Sequence, residues 1–180
     1  VEVMRLAREQ KRSVEDVGRE ERYRALEEIR KRCGASSIAV AHHRGDQAET
    51  VLMHLIQGTA PHGLQGMLPR RDRVIRPLLD IERAEIMAYL EQQNLPYCID
   101  LSNNDKTYLR NRIRLELIPL LKERFNPGIV EAVARLAHIM REENRCWEEQ
   151  AESKLQEIGE FDTKGQVIAL DAAALNSLPG

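Results

Sequence analysis

The sequence predicts an α/β fold, a parallel sheet covered by helices that runs on into a helical linker and the start of a second domain. A strongly periodic helix from Ser13 to Cys33 precedes a short apolar run, Ser37 to His42, and helical spacing resumes from Asp46 to Gln57. Helix, strand, helix in that order implies parallel strands joined by crossovers, with ligands gathering beyond the carboxyl ends of the strands. A long helical pattern then runs from Asn126 to about Leu155, and strand-like spacing returns only past Gly159. The expected division is residues 1–125 for the sheet-bearing domain, 126–158 for a linker helix and 159–180 for the opening of a second domain.

Each element has a local reason. In the first helix Val14, Val17, Leu26, Ile29 and Cys33 keep helical spacing, Ser13 and Asp16 form an S-x-x-D start, and Gly34 is a stop. Ser37 to His42 is too short for a helix and reads as a strand ending at His42 and His43. Val51, Leu52, Leu55 and Ile56 define the next helix, and Gly58 to Gly66, with three glycines and Pro61, reads as a surface loop. A second strand is expected at Arg73 to Leu79, with Pro77 confining it to an edge or a strand end. Ile81 to Asn94 is amphipathic through Ile86, Met87 and Leu90, and a short strand is expected at Tyr97 to Ile99. Asp105 to Ile118 reads as a helix interrupted by Pro119. Asn126 and Pro127 supply an N-cap and first-position pair for the long helix, whose stripe is Val133, Ala137, Met140, Trp147 and Ala151. A turn is expected at Thr163 to Gly165, then a strand from Val167 to Leu170 and a helix start at Asp171.

Composition narrows the function classes. A chain of 180 residues, 42% hydrophobic and 31% charged, can bury one core and part of another. A mean hydropathy of -0.48 and the lack of any apolar run near roughly 20 residues argue against a transmembrane protein. Cys33, Cys98 and Cys146 are far apart, so neither a zinc cluster nor a disulfide framework is suggested, and a cytoplasmic setting fits. The opening Val-Glu-Val, without Met or a leader, is expected of a piece of a longer chain. The net charge of -2 predicts no polyanion partner, but its distribution does. Lys106 to Arg124 carries a local +4, Arg70 to Arg76 a local +3, and Arg141 to Asp162 a local -5. Of the 27 basic residues 21 are Arg, the side chain suited to bidentate phosphate contacts.

Two polar clusters stand out. His42-His43-Arg44-Gly45-Asp46-Gln47-Ala48-Glu49-Thr50 lies where a strand meets a helix. Asp46 there can simply cap backbone N–H groups, or the same helix start can receive a phosphate. Glu49 is one turn further on, so both carboxylates and His42 are placed to hold a divalent ion carrying a nucleotide. Adjacent histidines on a strand point to opposite faces, so at most one of His42 and His43 is expected to face the pocket. The second cluster, Ser102 to Arg114, places Arg110 and Arg114 on one helix face with Arg112 pointing away. With Asn111 it offers several donors to a nucleotide or an RNA backbone, and a solvated basic face is the plainer account. Arg19, Arg22 and Arg24 sit in the first helix, where i,i+4 ion pairs can explain Arg19 and Arg24.

Five strings occur in order: Arg19-x-x-Arg22-Tyr23; Ala41-His42-His43-x-x-Asp46-Gln47-Ala48-Glu49-Thr50; Gly58-x-x-x-x-Gly63-Leu64-x-Gly66-Met67; Arg76-Pro77-Leu78-Leu79; and Ser102-Asn103-x-Asp105-x-x-Tyr108-x-Arg110-Asn111-Arg112-Ile113-Arg114. Over roughly Arg19 to Trp147 the chain resembles the tRNA(Ile)-lysidine synthetase family. The resemblance implies an adenine-nucleotide alpha-hydrolase-like fold of the PP-loop ATP pyrophosphatase type. Residues 1–125 would be the C-terminal part of the ATP-binding catalytic domain, and 159–180 the truncated start of a tRNA-binding domain. It implies a ligase that uses ATP to adenylate the wobble cytidine of an isoleucine tRNA and joins free L-lysine to it, giving lysidine. Magnesium would accompany the ATP. Asp46 takes the metal or adenylation role beside His42 or His43. Arg22, Arg112 and Arg114 would hold phosphates; Arg19, Arg110 and Asn111 would contact substrate or RNA, and Glu49 the lysine. Self-association into a homodimer is left open.

The family's Ser-Gly-Gly-x-Asp-Ser phosphate loop is not among these 180 residues, so this chain alone is expected to lack adenylation activity. Gly45 and Leu109 stand where the family has an aspartate and an arginine. Two other readings remain: a tRNA thiolation enzyme of the same fold, which would bring sulfur through cysteines, and a noncatalytic RNA-binding module using residues 106–124.

Overall fold

A computed structural model describes residues 2–98, 107–161 and 167–176. They fall into two compact units, Val1–Gln47 with Met67–Asp100, and Ala48–Gly66 with Leu101–Gly180.

The first unit opens with helix α1, Val3–Gln10, which apolar spacing alone did not single out, and α2, Val14–Arg32. The Ser13 Oγ accepts from the Asp16 backbone N–H at 3.0 Å, Glu15 and Asp16 occupy the first turn, and Arg30, Lys31 and Arg32 the last. Both charge placements suit the helix dipole. Gly34, at a φ of 64°, takes the left-handed conformation that releases the chain into strand β1, Ile38–Ala39. Strands β2, Arg70–Arg71, and β3, Val74–Ile75, complete a sheet in the order β1-β3-β2. The β1–β3 pair is parallel, Ile38 opposite Val74, as the α/β reading requires, and β2 pairs antiparallel with β3.

The hairpin partner β2 was not foreseen. It places β3 in the middle of the sheet, and Pro77 is tolerated because it lies two residues beyond Ile75, where no ladder donor is needed. Helix α3, Arg44–Gln57, begins in this unit and enters the second at Ala48. Of the loop expected at Gly58 to Gly66, Pro61–Leu64 forms a single helical turn, α4, with Pro61 preset for its first position. Helix α5, Arg83–Gln92, starts on a capping box in which the Glu82 N–H donates to the Glu85 carboxylate at 2.9 Å. Tyr97 and Cys98 carry no strand, and Ile99 lies outside the described residues, as do Ser102 to Lys106.

In the second unit the segment around Pro119 stays helical. Helix α6, Leu109–Arg112, passes through a π-helical turn, Ile113–Leu117, into α7, Ile118–Arg124. The Ile118 N–H donates to the Ile113 carbonyl, the wider i→i+5 closure. Pro119 follows directly on this wider turn, as the second residue of α7. The long helix α8 spans Ile129–Ile158. Its start is two residues later than Asn126-Pro127 suggested: the Asn126 side chain accepts from the Gly128 N–H at 2.9 Å, one step ahead of the helix.

The core of this unit joins Ala48, Val51 and Leu52 of α3 with Ile113, Ile118, and Val133 and Ala137 of α8. Burying side chains such as Ile113 and Val51 is worth roughly 1.5–3 kcal/mol each. The stripe predicted for α8 is buried only in its first half: Trp147 is 65% exposed. Strands β4, Gly159–Phe161, and β5, Val167–Leu170, pair antiparallel, and α9, Ala172–Asn176, is capped by the Asp171 carboxylate accepting from the Ala174 N–H at 3.2 Å. The turn expected at Thr163 to Gly165 lies outside the described residues.

Candidate functional site

The sequence-predicted residues separate into two constructions on α3. At its start, His43 is the residue before the helix, and its carbonyl accepts the first helical bond from the Gln47 N–H at 3.1 Å. The His43 Nδ1 accepts from the Gly45 N–H at 3.0 Å, while the Asp46 Oδ2 accepts from the His43 N–H, also at 3.0 Å. This is a reciprocal cap built from His and Asp instead of Ser and Glu. With Nδ1 accepting, the ring proton of a neutral His43 is assigned to Nε2, which lies 3.5 Å from Asp46 Oδ2. A Cβ at Gly45 would sit 2.8 Å from His43 Cε1, so a side chain there would make the imidazole shift.

His42 and His43 lie three and four residues past the last residue of β1, outside the ladder, so strand alternation does not decide which one faces a pocket. Both are half-buried.

One turn on, Glu49 is 3% exposed and accepts from two guanidiniums. Arg110 Nε approaches Glu49 Oε2 at 2.9 Å; Arg114 takes both oxygens, Nε to Oε1 at 2.5 Å and Nη2 to Oε2 at 2.8 Å. Charge-assisted bidentate bonds of this kind are the strong ones, and they hold the two arginines on one face as the i,i+4 spacing predicts. Arg112 points elsewhere, 61% exposed at its side chain and 4.0 Å from Glu116. Asn111 is half-buried. On α2, Arg22 is exposed and Arg19 lies over the Tyr23 ring, 5.9 Å from its centroid.

Three contacts escaped the sequence reading. Buried Gln47 clamps both backbone groups of one residue, its Nε2 donating to the Met67 carbonyl at 3.2 Å and its Oε1 accepting from the Met67 N–H at 2.8 Å. Buried Arg76 donates through Nη1 to the Leu68 carbonyl at 2.7 Å. Arg44 ties the start of α3 to that of α5, donating to the Glu82 carboxylate at 2.9 Å and to the Asp80 carbonyl. Gln47 and Arg76 both lie inside the five ordered strings, but side chains 20 and 8 residues from the backbone they hold give no spacing signal.

A parallel strand that runs into a helix puts that helix start at the carboxyl end of the strand, where open α/β sheets take their ligands. Residues 1–121 match the PP-loop domain family, and the chain belongs to it. It is 43% identical over 172 residues to the tRNA(Ile)-lysidine synthase of Caldanaerobacter subterraneus subsp. tengcongensis, covering 96% of this chain and 36% of that protein. Against the tRNA(Ile)-lysidine synthase of Clostridium acetobutylicum it is 44% identical over 155 residues, 86% of this chain and 34% of that protein. The chain thus spans about a third of the length of the curated relatives it matches. Among solved structures, the U34-tRNA thiolase NcsA from Methanococcus maripaludis superposes with a TM-score of 0.47 and 21% identity, over 67% of this chain and 41% of that one. Among the described residues no helix is long and apolar enough to cross a membrane.

Proposed function

We propose that the protein containing this chain is a tRNA-modifying ligase. The C2 oxygen of the wobble cytidine of an isoleucine tRNA attacks the α-phosphate of ATP and releases pyrophosphate. The amino group of free L-lysine then attacks C2, AMP leaves and a proton is lost, giving lysidine. The observation that carries this reading is the 43% identity to a tRNA(Ile)-lysidine synthase across 96% of the chain. Residues 1–125 serve as the C-terminal part of the catalytic domain, 126–158 as a linker helix and 159–180 as the start of a tRNA-binding domain, in a cytoplasmic enzyme.

Asp46 works at the nucleotide, with His42 and His43 beside it. Its donor set fits magnesium, which takes one or two protein carboxylates and completes its shell with phosphate oxygens and water. When bound, the ion offsets charge on the α-phosphate. Arg22, Arg112 and Arg114 hold phosphates, and Arg19, Arg110 and Asn111 contact the RNA. Glu49 with its two guanidiniums carries a local charge of +1, which repels an ammonium group. A phosphate that draws Arg110 or Arg114 away frees a carboxylate oxygen, and the lysine ammonium takes it.

The test is incubation of the full-length protein with ATP, lysine and an unmodified isoleucine tRNA, then mass spectrometry of the nucleosides. A lysine-modified cytidine is expected. Unmodified cytidine from a preparation that binds both ATP and tRNA sinks the assignment.

A further inference from the structure

The Arg70-Arg71-Asp72-Arg73 hairpin belongs to neither construction on α3. Its two-residue turn is closed with Asp72 at a left-handed φ of 54°, and its backbone is pinned on both sides. The Ile38 N–H donates to the Arg73 carbonyl at 2.8 Å, and the Arg76 N–H to the Pro69 carbonyl at 2.7 Å. Arg70, Arg71 and Arg73 are all exposed. Among the described residues none of the three is in an ion pair, whereas Arg12, Arg30, Arg44, Arg110 and Arg114 each are.

The last turn of α2 adds to this surface. The Glu27 carboxyl is held below its ordinary value first by a hydrogen bond from Arg30, against partial burial, and then by the charges of Arg30, Lys31 and Arg73. Arg73 therefore shares a neighbourhood with the end of α2, where Lys31 and Arg32 are exposed. Arg30, Lys31, Arg32, Arg70, Arg71 and Arg73 stand against Glu27, Glu28 and Asp72, six cations to three acids in a chain whose net charge is -2.

The sheet register fixes where this surface lies. Because β1 and β3 are parallel with Ile38 opposite Val74, Arg73 is at the amino end of the strands. His43 lies five residues past Ile38, beyond the carboxyl end of β1.

We infer that the β2–β3 hairpin and the last turn of α2 form a phosphate-contacting surface for the backbone of an RNA, on the far side of the sheet from the reacting base. Planar guanidiniums suit phosphate oxygens, and a single exposed Ile29 in the last turn of α2, with no large apolar side chain exposed on the hairpin, is less than a membrane surface would take. Backbone contacts position a nucleic acid without reading its bases. The identity of the RNA as tRNA rests on the ligase reading above.

The experiment uses the full-length protein with an Arg71→Glu/Arg73→Glu double substitution, a matching Lys pair, and two transcripts, isoleucine tRNA and an unrelated tRNA. Binding to both should weaken roughly tenfold at low salt, and the slope of log K against log salt should fall by about two units, one for each lost phosphate. The KM for tRNA should rise with kcat unchanged, and the Lys pair should restore the slope. An unaltered slope and KM overturn the inference, as does a fall in kcat at constant KM. A parent protein that binds tRNA with the expected slope but forms no lysidine refutes the ligase reading alone, and the hairpin is then judged on the slope.

Discussion

The first and second turns of α3 use their carboxylates in opposite ways. Asp46 is bonded three residues back to the His43 N–H, a contact that the helix start makes on its own. Glu49, on the same helix, is bonded to arginines 61 and 65 residues away. A carboxylate engaged by its own backbone can be exchanged for any acceptor of the same shape, and what remains is its charge. A carboxylate shared by two guanidiniums holds other elements in place, and its removal takes a counter-charge from both cations.

The largest expected effect therefore belongs to Glu49. Glu49→Gln should cost about 2 kcal/mol of stability, below the 3–5 kcal/mol of a fully buried pair because the Arg110 and Arg114 side chains are 22% and 31% exposed. Arg110→Ala should cost about half as much, since Arg114 still engages both oxygens. Urea midpoints tracked by far-UV circular dichroism give both values; equal costs would mean that the fork is not shared.

Asp46→Asn sharpens the other half of the contrast. The amide oxygen still accepts from the His43 N–H, so stability should change by less than about 0.5 kcal/mol. Pyrophosphate release by the full-length enzyme should nevertheless fall roughly hundredfold, the scale of losing one preorganised electrostatic group, with tRNA affinity kept. Parallel loss of tRNA affinity would make Asp46 a structural cap only.

The smallest effect is on the acid side of Glu27. Its pKa is lowered in the folded state by the Arg30 hydrogen bond, so the stabilisation is present above the ordinary carboxylate range and disappears as pH falls through the lower folded value. Glu27→Gln should narrow the difference in Tm between parent and variant as the pH drops, and a difference independent of pH would rule out this linkage.

Near neighbours along the chain were enough to dictate the helix starts. Ser13 and Asp16, Glu82 and Glu85, and Asp171 and Ala174 lie three residues apart, within reach of the backbone groups left unbonded at a helix start. The α/β class was legible because helical and strand periods alternate, and the candidate site because five strings keep family order. Periodicity failed where a two-residue strand leaves no pattern, as at Arg70–Arg71, and where a π turn carries a helix up to a proline that read as its end. The folded chain alone reveals which face Glu49 serves, which residue's backbone Gln47 clamps, and that the exposed Arg73 of a turn shares a neighbourhood with the end of α2. Such pairings are set by where the chain returns after 20 to 65 residues, and ion pairs or amide clamps across that span obey geometry in space, for which spacing in sequence carries no code.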